Sequence, residues 1–499
     1  MKKKYVLVID QGTTSTRAII FNDSGEIEHV EKMEITQIYP KPGWVEHNPE
    51  EIFDSALKTI KNSLNALNLE PKDILTIGIT NQRETTILFE KESGKPVYNA
   101  IVWQCRRSAE ICEEIKKEDL NEEIHKKTGL VIDPYFSLTK VVYLLRERED
   151  IKKRVLNGEV LFGTVDTYLL YRLTKGESFF TDYSNASRTM MFNINNLEWD
   201  KDILKNFSIP EHILPQVKDS SSLFGKVHKD YFGSEIPITG IVGDQQGSLF
   251  GELCIEEGMV KNTYGTGCFI LLNTGKEKVL SKNGLLTTIA WGINGNVTFA
   301  LEGSIFIAGA LVQWLRDGIN IINNSNEIEK LAKEVQDSEG VYIVPAFVGL
   351  GTPYWDMYAG GLIIGITRKT NKSHIARAAL EAIAFQTRDV IEVMENETQK
   401  KIKVLRVDGG AAMNDLLLQI QSDFLGIKVE RPKILETTAF GTFLLASLGL
   451  GIIKFENLKD FERIEKIFTS QIDEKLREKK YKIWKEAVKR SLGWRKIMM

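Results

Sequence analysis

Asp10-Gln11-Gly12-Thr13-Thr14-Ser15-Thr16-Arg17 lies between two apolar runs, Val6-Leu7-Val8-Ile9 and Ala18-Ile19-Ile20-Phe21. The stretch puts a carboxylate, a glycine, four hydroxyls and an arginine on one tight turn between two strands. A glycine lets the backbone pass close to a bulky anion, and main-chain N–H groups and hydroxyls donate to phosphate oxygens. Asp10 repels phosphate, but its carboxylate suits a Mg²⁺ ion that binds phosphate in turn. The Gly-Lys-Ser/Thr ending of a P-loop is missing, and the apolar residues that follow read as a strand rather than a helix. The segment predicts a phosphate-binding hairpin. Taken alone it also fits a hydroxyl-rich turn with no ligand, since turns favour Gly, Ser and Asp.

A chain of 499 residues is too long for one core and predicts two large domains or three smaller ones. Its 42% hydrophobic and 27% charged residues are those of a globular protein, which excludes extensive disorder. The formal charge of -3 leaves no basic surplus for nucleic acid, so phosphate chemistry is expected on a small molecule. Behind Met1-Lys2-Lys3-Lys4 the apolar run from Tyr5 to Ile9 stops at Asp10, too short for the core of a signal peptide. No other stretch approaches a membrane span. Cys105, Cys112, Cys254 and Cys268 show no CxxC spacing, which fits a reducing cytoplasm. The six histidines are scattered without ligand spacing, and no zinc site is inferred.

A second strand-turn-strand unit runs from Met259 to Leu272, with Gly265-Thr266 standing where Gly12-Thr13 stands in the first. Two such hairpins half a chain apart predict an internal duplication, two related domains closing on one nucleotide in the cleft between them. Strand-like Ile74 to Ile79 and Val404 to Val407 alternate with helical patterns such as His374 to Val393, which gives an α/β architecture. The boundary is placed near Phe250-Gly251, just before the second hairpin. A third strand ends in Asp408-Gly409-Gly410, where adjacent glycines let a purine or ribose lie on the backbone. Asn414 then either caps the helix that follows or bonds a base edge.

Pro237 to Gly247 places Asp244 at the end of an apolar strand, where it can act as a base beside a γ-phosphate or simply occupy a Gly-flanked turn. Arg83-Glu84, after the strand ending at Ile79, sets a strong donor beside a strong acceptor. Each hydroxyl of a polyol both donates and accepts, so such a pair addresses neighbouring oxygens with little net charge. Trp103, Tyr135 and Phe269 can wall the carbon side of such a substrate. The plainer alternative is a surface ion pair and core aromatics.

Asp10 to Arg17, Gly43-Trp44-Val45-Glu46-His47, Asn81-Gln82-Arg83-Glu84, Trp103, Gly243-Asp244-Gln245, Tyr264-Gly265-Thr266-Gly267-Cys268 and Asp408-Gly409-Gly410 resemble the FGGY carbohydrate kinases. Gly361 to Glu381 matches a further signature of that family, and the resemblance extends to about residue 450. It implies an α/β fold of two duplicated actin-like (ribonuclease H-like) ATPase domains with an interdomain cleft that binds ATP and Mg²⁺. The N-terminal domain, 1–250, would bind substrate and phosphate, and the C-terminal domain, 251–499, nucleotide. The implied activity is phosphorylation of glycerol by ATP in glycerol catabolism, by in-line transfer with Asp244 as general base.

Carried over by position, glycerol falls to Arg83, Glu84, Trp103, Tyr135, Asp244, Gln245 and Phe269. Nucleotide falls to Thr13, Thr14, Ser15, Arg17, Thr266, Gly309, Gln313, Gly410 and Asn414, with Gly309 and Gln313 on a helix expected from Ser304 to Trp314. Asp10 would hold the metal and share in catalysis. The family's other signature, near Ser137 to Lys140, usually carries Trp where this chain has Tyr143. Asp230 to Glu235 lacks the histidine that some relatives phosphorylate, and is too short for the loop through which others bind fructose 1,6-bisphosphate.

Two rival readings fit the same residues. One is a family kinase for a pentulose, gluconate or erythritol, whose pocket should differ at Arg83-Glu84 and Trp103. The other is a non-catalytic nucleotide switch of actin or chaperone type, which needs no base at Asp244. Glycerol and ATP/ADP are the expected partners, with no nucleic acid, no stable membrane insertion, a cytoplasmic location and a homo-oligomer, dimer or tetramer. Near the C-terminus, Tyr481, Trp484, Val488 and Leu492 recur at helical spacing and predict a terminal helix packed onto the second domain.

Overall fold

The structure, a computed structural model, describes residues 4–118 and 120–498; the basic start at Met1 to Lys3 lies outside them. The first half of the chain supplies strands β1 (Tyr5–Gln11), β2 (Ser15–Asn22), β3 (Ile27–Glu34), β4 (Ile74–Asn81), β5 (Ser221–Val227) and β6 (Ile236–Gly243). The second supplies β7 (Val260–Tyr264), β8 (Cys268–Gly275), β9 (Leu286–Ile293), β10 (Asn296–Ile305), β11 (Val404–Asp408), β12 (Lys428–Pro432) and β13 (Ile464–Phe468). They lie side by side in the order β13-β12-β11-β7-β8-β10-β9-β5-β6-β4-β1-β2-β3.

Each half repeats one topology. An antiparallel trio, β1-β2-β3 or β7-β8-β10, is extended on its first strand by two parallel strands, β4 and β6 or β11 and β12. The expected duplication is thus present over five strands of each half. The two halves meet edge to edge through a single bridge, Ser221 to Ile293.

Seven helices bear on the site: α1 (Pro49–Ala66), α2 (Asp244–Gly251), α3 (Gly309–Asp317), α4 (Lys372–Thr398), α5 (Asp415–Leu425), α6 (Thr437–Leu450) and α7 (Glu474–Ser491). The near-continuous apolar sequence of β1 and β2 follows from cover on both faces. Leu7, Ile9, Ala18 and Ile20 pack with Ile52, Ala56 and Ile60 of α1. Val6, Val8, Ile19 and Phe21, on the other face, pack with Phe440 and Phe443 of α6. A helix from the far end of the chain therefore covers the first half's sheet. It crosses α2 at glycines: a Cβ at Gly441 would lie 1.9 Å from the Gly247 carbonyl oxygen, and one at Gly251 would lie 2.0 Å from that of Thr437.

Three expectations are corrected. Asp10 and Arg17 are not on the turn but face each other on β1 and β2, because the ladder continues to Gln11 and Thr16 and leaves only Gly12 to Ser15 outside it. Ser304 is not helical: it pairs with Phe269 in β10, and α3 starts only at Gly309. Leu492 does not join the stripe of α7. It follows the helix in an extended conformation and is 39% exposed, whereas Tyr481, Trp484 and Val488 are buried. Trp484 stacks on Phe385 of α4 at 5.4 Å and donates to Asp389, fixing α7 onto the second half as expected. All four cysteines are free and buried.

Candidate active site

In each half the parallel strands end at one edge, where ligands of open α/β sheets collect. Asp10 of β1 pairs with Thr80 of β4, and Gly243 of β6 with Asn81, so Asp10, the Gln82-Arg83-Glu84 segment and Asp244 emerge side by side. The first turn is closed by the Gly12 amide donating to the Ser15 carbonyl at 2.9 Å. Gln37 Nε2 donates to the Thr13 carbonyl (2.8 Å) and Gln82 Nε2 to that of Gly12 (3.2 Å). Buried His47 lies against both amides, 3.0 Å from Gln37 Oε1 and 3.3 Å from Gln82 Nε2. Arg17 donates to Asp10 Oδ2 and to Glu436, just ahead of α6. Burial pushes the Asp10 carboxyl above its usual range against the pull of Arg17.

Arg83 and Glu84 are not a surface pair. They are 3% and 1% exposed, which rules out a surface pair; the aromatics Trp103 and Tyr135 do pack against a core cluster. Arg83 Nε meets Asp244 Oδ1 at 3.1 Å, and its Nη1 donates to Gln246 Oε1 at 3.1 Å and to Glu302 Oε2 at 2.6 Å. Arg188 Nε donates to Glu84 Oε1 at 2.6 Å. Glu84 has φ +61°, a left-handed conformation that costs a non-glycine residue energy. Its carbonyl is held by Ser137 Oγ (3.0 Å) and by Lys140 Nζ (3.3 Å), and the same ammonium donates to Tyr135 and Phe136 carbonyls. Burial lowers the Lys140 ammonium to about 8.

Asp244 opens α2, and its Oδ1 accepts the Gln245 N–H at 2.7 Å. Its partly buried carboxyl is pushed up by desolvation, against Arg83 first and Lys261 as well. Trp103 and Tyr135 meet edge to face at 5.5 Å, and the Trp103 indole donates to Thr13 Oγ1 at 2.9 Å. The expected polyol wall thus touches the expected phosphate turn. Phe269, half-buried on β8, packs with the cluster that contains Leu249 and Phe250.

The second hairpin is pinned to α3. Gly265 carbonyl accepts from Gly309 N (3.0 Å), and that of Thr266 from Ala308 and Ala310 N (2.9 and 3.1 Å). Thr266 and Gly309 are thereby brought together, with Gln313 one turn further along α3. Gly409, at φ +86°, lies where a Cβ would be 2.4 Å from the Tyr264 carbonyl oxygen, so its glycine serves the approach of β11 to the hairpin. Gly410 has open space around its Cβ position. Asn414 does cap α5, its side chain accepting from Leu417 N at 2.9 Å. Among the described residues no three His, Cys, Asp or Glu side chains converge on a metal position. The available donor set for Mg²⁺ is a lone carboxylate such as Asp10, which suits an ion that completes its shell with phosphate and water.

Four residues here escaped the sequence reading: Arg188, Gln246, Lys261 and Glu302. Lys261 Nζ, fully buried, donates to Gln245 Oε1 and Thr263 Oγ1. The usable signal was an acid or base alone in an apolar strand, as in Phe299-Ala300-Leu301-Glu302 or Met259-Val260-Lys261, since a buried charge requires a partner.

Residues 5–251 match the N-terminal domain, and residues 260–450 the C-terminal domain, of the FGGY family of carbohydrate kinases. The chain is 57% identical over 494 residues to glycerol kinase 2 of Thermotoga maritima, covering 99% of this chain and 100% of that protein. It is 56% identical over 496 residues to glycerol kinase of Pseudothermotoga lettingae, covering 99% of both. The crystal structure of Plasmodium falciparum glycerol kinase with ADP superposes with a TM-score of 0.93 at 37% identity, covering 98% of both chains. Gluconate kinase of Lactobacillus acidophilus, at 20% identity and a TM-score of 0.88 over 98% of this chain and 97% of that one, shares the fold.

Proposed function

The chain belongs to the FGGY family of carbohydrate kinases, and from that premise we propose that it transfers the γ-phosphoryl group of ATP to a terminal hydroxyl of glycerol, giving sn-glycerol 3-phosphate and ADP. The observation that carries the chemistry is Asp244, a partly open carboxylate raised by burial at the strand edge it shares with Asp10. A carboxylate whose pKa is raised takes a proton more readily than an ordinary aspartate. Asp244 accepts the proton of the attacking hydroxyl as the new O–P bond forms and the bond to the ADP oxygen breaks.

Arg83 and Glu84 address adjacent hydroxyls, Gln245 bonds a further one, and Trp103, Tyr135 and Phe269 face the carbons. Thr13, Thr14, Ser15 and Arg17 hold the transferred phosphate from one side, and Thr266 from the other. Gly309, Gln313, Gly410 and the NH₂ group of Asn414 line the nucleotide. Asp10 holds Mg²⁺, which when bound neutralises charge on the phosphates. The substrate domain is 1–250 and the nucleotide domain 251–499, and their closure excludes water that would otherwise accept the phosphoryl group. No helix among the described residues is long and apolar enough to cross a membrane; a cytoplasmic homo-oligomer belongs to the same proposal.

The test follows ADP release with ATP and Mg²⁺ over glycerol, dihydroxyacetone, erythritol, xylulose and gluconate. Glycerol is expected to be preferred, and preference for any of the last three overturns the assignment. Asp244→Asn should bind ADP normally and lose turnover by about 10²-fold or more, the usual range for a general base. Substantial residual activity would place the base elsewhere.

A further inference from the structure

Arg83, Glu302, Arg188 and Glu84 alternate in sign around a closed ring. Glu302 Oε2 and Oε1 accept from Arg83 Nη1 (2.6 Å) and Nη2 (3.3 Å), and Oε1 also accepts from Arg188 Nη2 at 3.0 Å. Arg188 Nε continues to Glu84 at 2.6 Å, and Glu84 Oε1 lies 3.9 Å from Arg83 Nε. None of the four is more than 3% exposed. Three come from the first half of the chain. Glu302 alone comes from the second, on β10.

An arginine presents its N–H groups in a fixed planar fork, and a carboxylate prefers two of them at once. Here Glu302 takes the forked end, and Asp244 receives only Nε, at 3.1 Å. We infer that Glu302 is a positioning residue for the phosphoryl transfer: by occupying the fork of Arg83 from the opposite half of the molecule, it restricts Asp244 to a single guanidinium contact and preserves it as a base. This rests on the reading of Asp244 as the base. The charged groups facing Asp244 are Arg83 and Lys261, which favour its anion, and Glu302, which opposes it. With Glu302 neutral, Asp244 faces two cations unopposed, and the freed fork can turn to grip it with two bonds. The base would be pinned and weakened.

Glu302→Gln keeps shape and removes charge. The variant should bind ADP as the parent does, yet lose kcat by about 10²-fold, the scale of a misplaced reacting group. The acid limb of kcat/KM for glycerol should move to lower pH by about one unit, as for a carboxylate that gains an arginine. Glu302→Asp keeps the charge on a shorter arm; it should leave the limb in place and raise KM for glycerol. A purely structural role would lower the melting temperature and move neither the limb nor kcat, and that result overturns the inference. If Glu302→Gln does not fold, Glu302→Asp decides: unchanged kcat and KM overturn it. Asp244→Asn run in parallel separates the two readings. An active Asp244→Asn removes the base itself, whereas an inactive one beside an unaltered Glu302→Gln profile removes only the role of Glu302.

Discussion

His47 supports the turn at Gly12 and Thr13 only while it is neutral. With the proton on Nε2 it donates to Gln37 Oε1, and its bare Nδ1 accepts from Gln82 Nε2; those two amides in turn hold the Thr13 and Gly12 carbonyls. Burial holds the imidazole down at about 4, against a weak opposing pull from Glu51. A folded pKa below the unfolded value of about 6.5 means that the unfolded chain binds the extra proton between those limits. His47 therefore contributes fully above about pH 6.5, and that contribution falls as pH drops toward 4, by about 3 kcal/mol in all. Asp166, raised to about 7 by burial, acts in the opposite sense over an overlapping window, its contribution being lost as pH rises. Comparison with a variant isolates the histidine. His47→Gln should cost stability at pH 7.5 but show a much flatter loss in urea midpoint down to pH 4.5; an unchanged slope would mean the acid sensitivity lies elsewhere.

At the scale of elements, the crossing of α2 and α6 sets the position of Asp244, which is the first residue of α2. Backbone meets backbone there, with no side chain to yield at Gly441 against the Gly247 carbonyl. Gly441→Ala must push the helices apart, a form of overpacking that costs about 1–3 kcal/mol. Displacement of α2 should also reduce kcat while ADP affinity holds, and a variant that melts and turns over like the parent would show the crossing to be slack. The hairpins around Gly12 and Gly265 were readable from sequence because each polar, glycine-bearing turn sits between apolar runs whose register leaves little choice. Ser304 and Ile305 read as helix from the sequence because a short apolar stretch suits strand and helix alike; pairing with Phe269 and Cys268 places them in β10. The pairing within the charged ring leaves no local pattern, since Arg83 meets Glu302 across 219 residues of sequence.

The molecule as a whole has two duplicated halves but does not have two independent cores. Beside the larger cores of each half lies a shared one, in which Val6, Val8, Ile19 and Phe21 of the first half's strands meet Phe440, Phe443 and Leu444 of α6, with Leu271 and Trp291 of the second half's strands in the same cluster. The phenylalanines stack across this seam, Phe21 on Phe443 at 5.0 Å. Cut at 250, the first half would keep β1 to β6 and lose the helix that covers one face of them. Several large side chains that are now fully buried would then meet water, at about 1.5–3 kcal/mol each. For Val6, Val8, Ile19 and Phe21 together that is about 6–12 kcal/mol, comparable to the 5–15 kcal/mol typical of a whole folded domain. A fragment of residues 1–250 is therefore expected to be insoluble or to bind a hydrophobic dye without a cooperative melt, and co-expression with 251–499 should restore a soluble, active pair. By the same reasoning the intact chain should unfold in one calorimetric transition despite its length, because neither half survives loss of the seam. A sharp, reversible melt from the isolated 1–250 fragment would show instead that α6 is an ornament of the first half and that the two cores are separable.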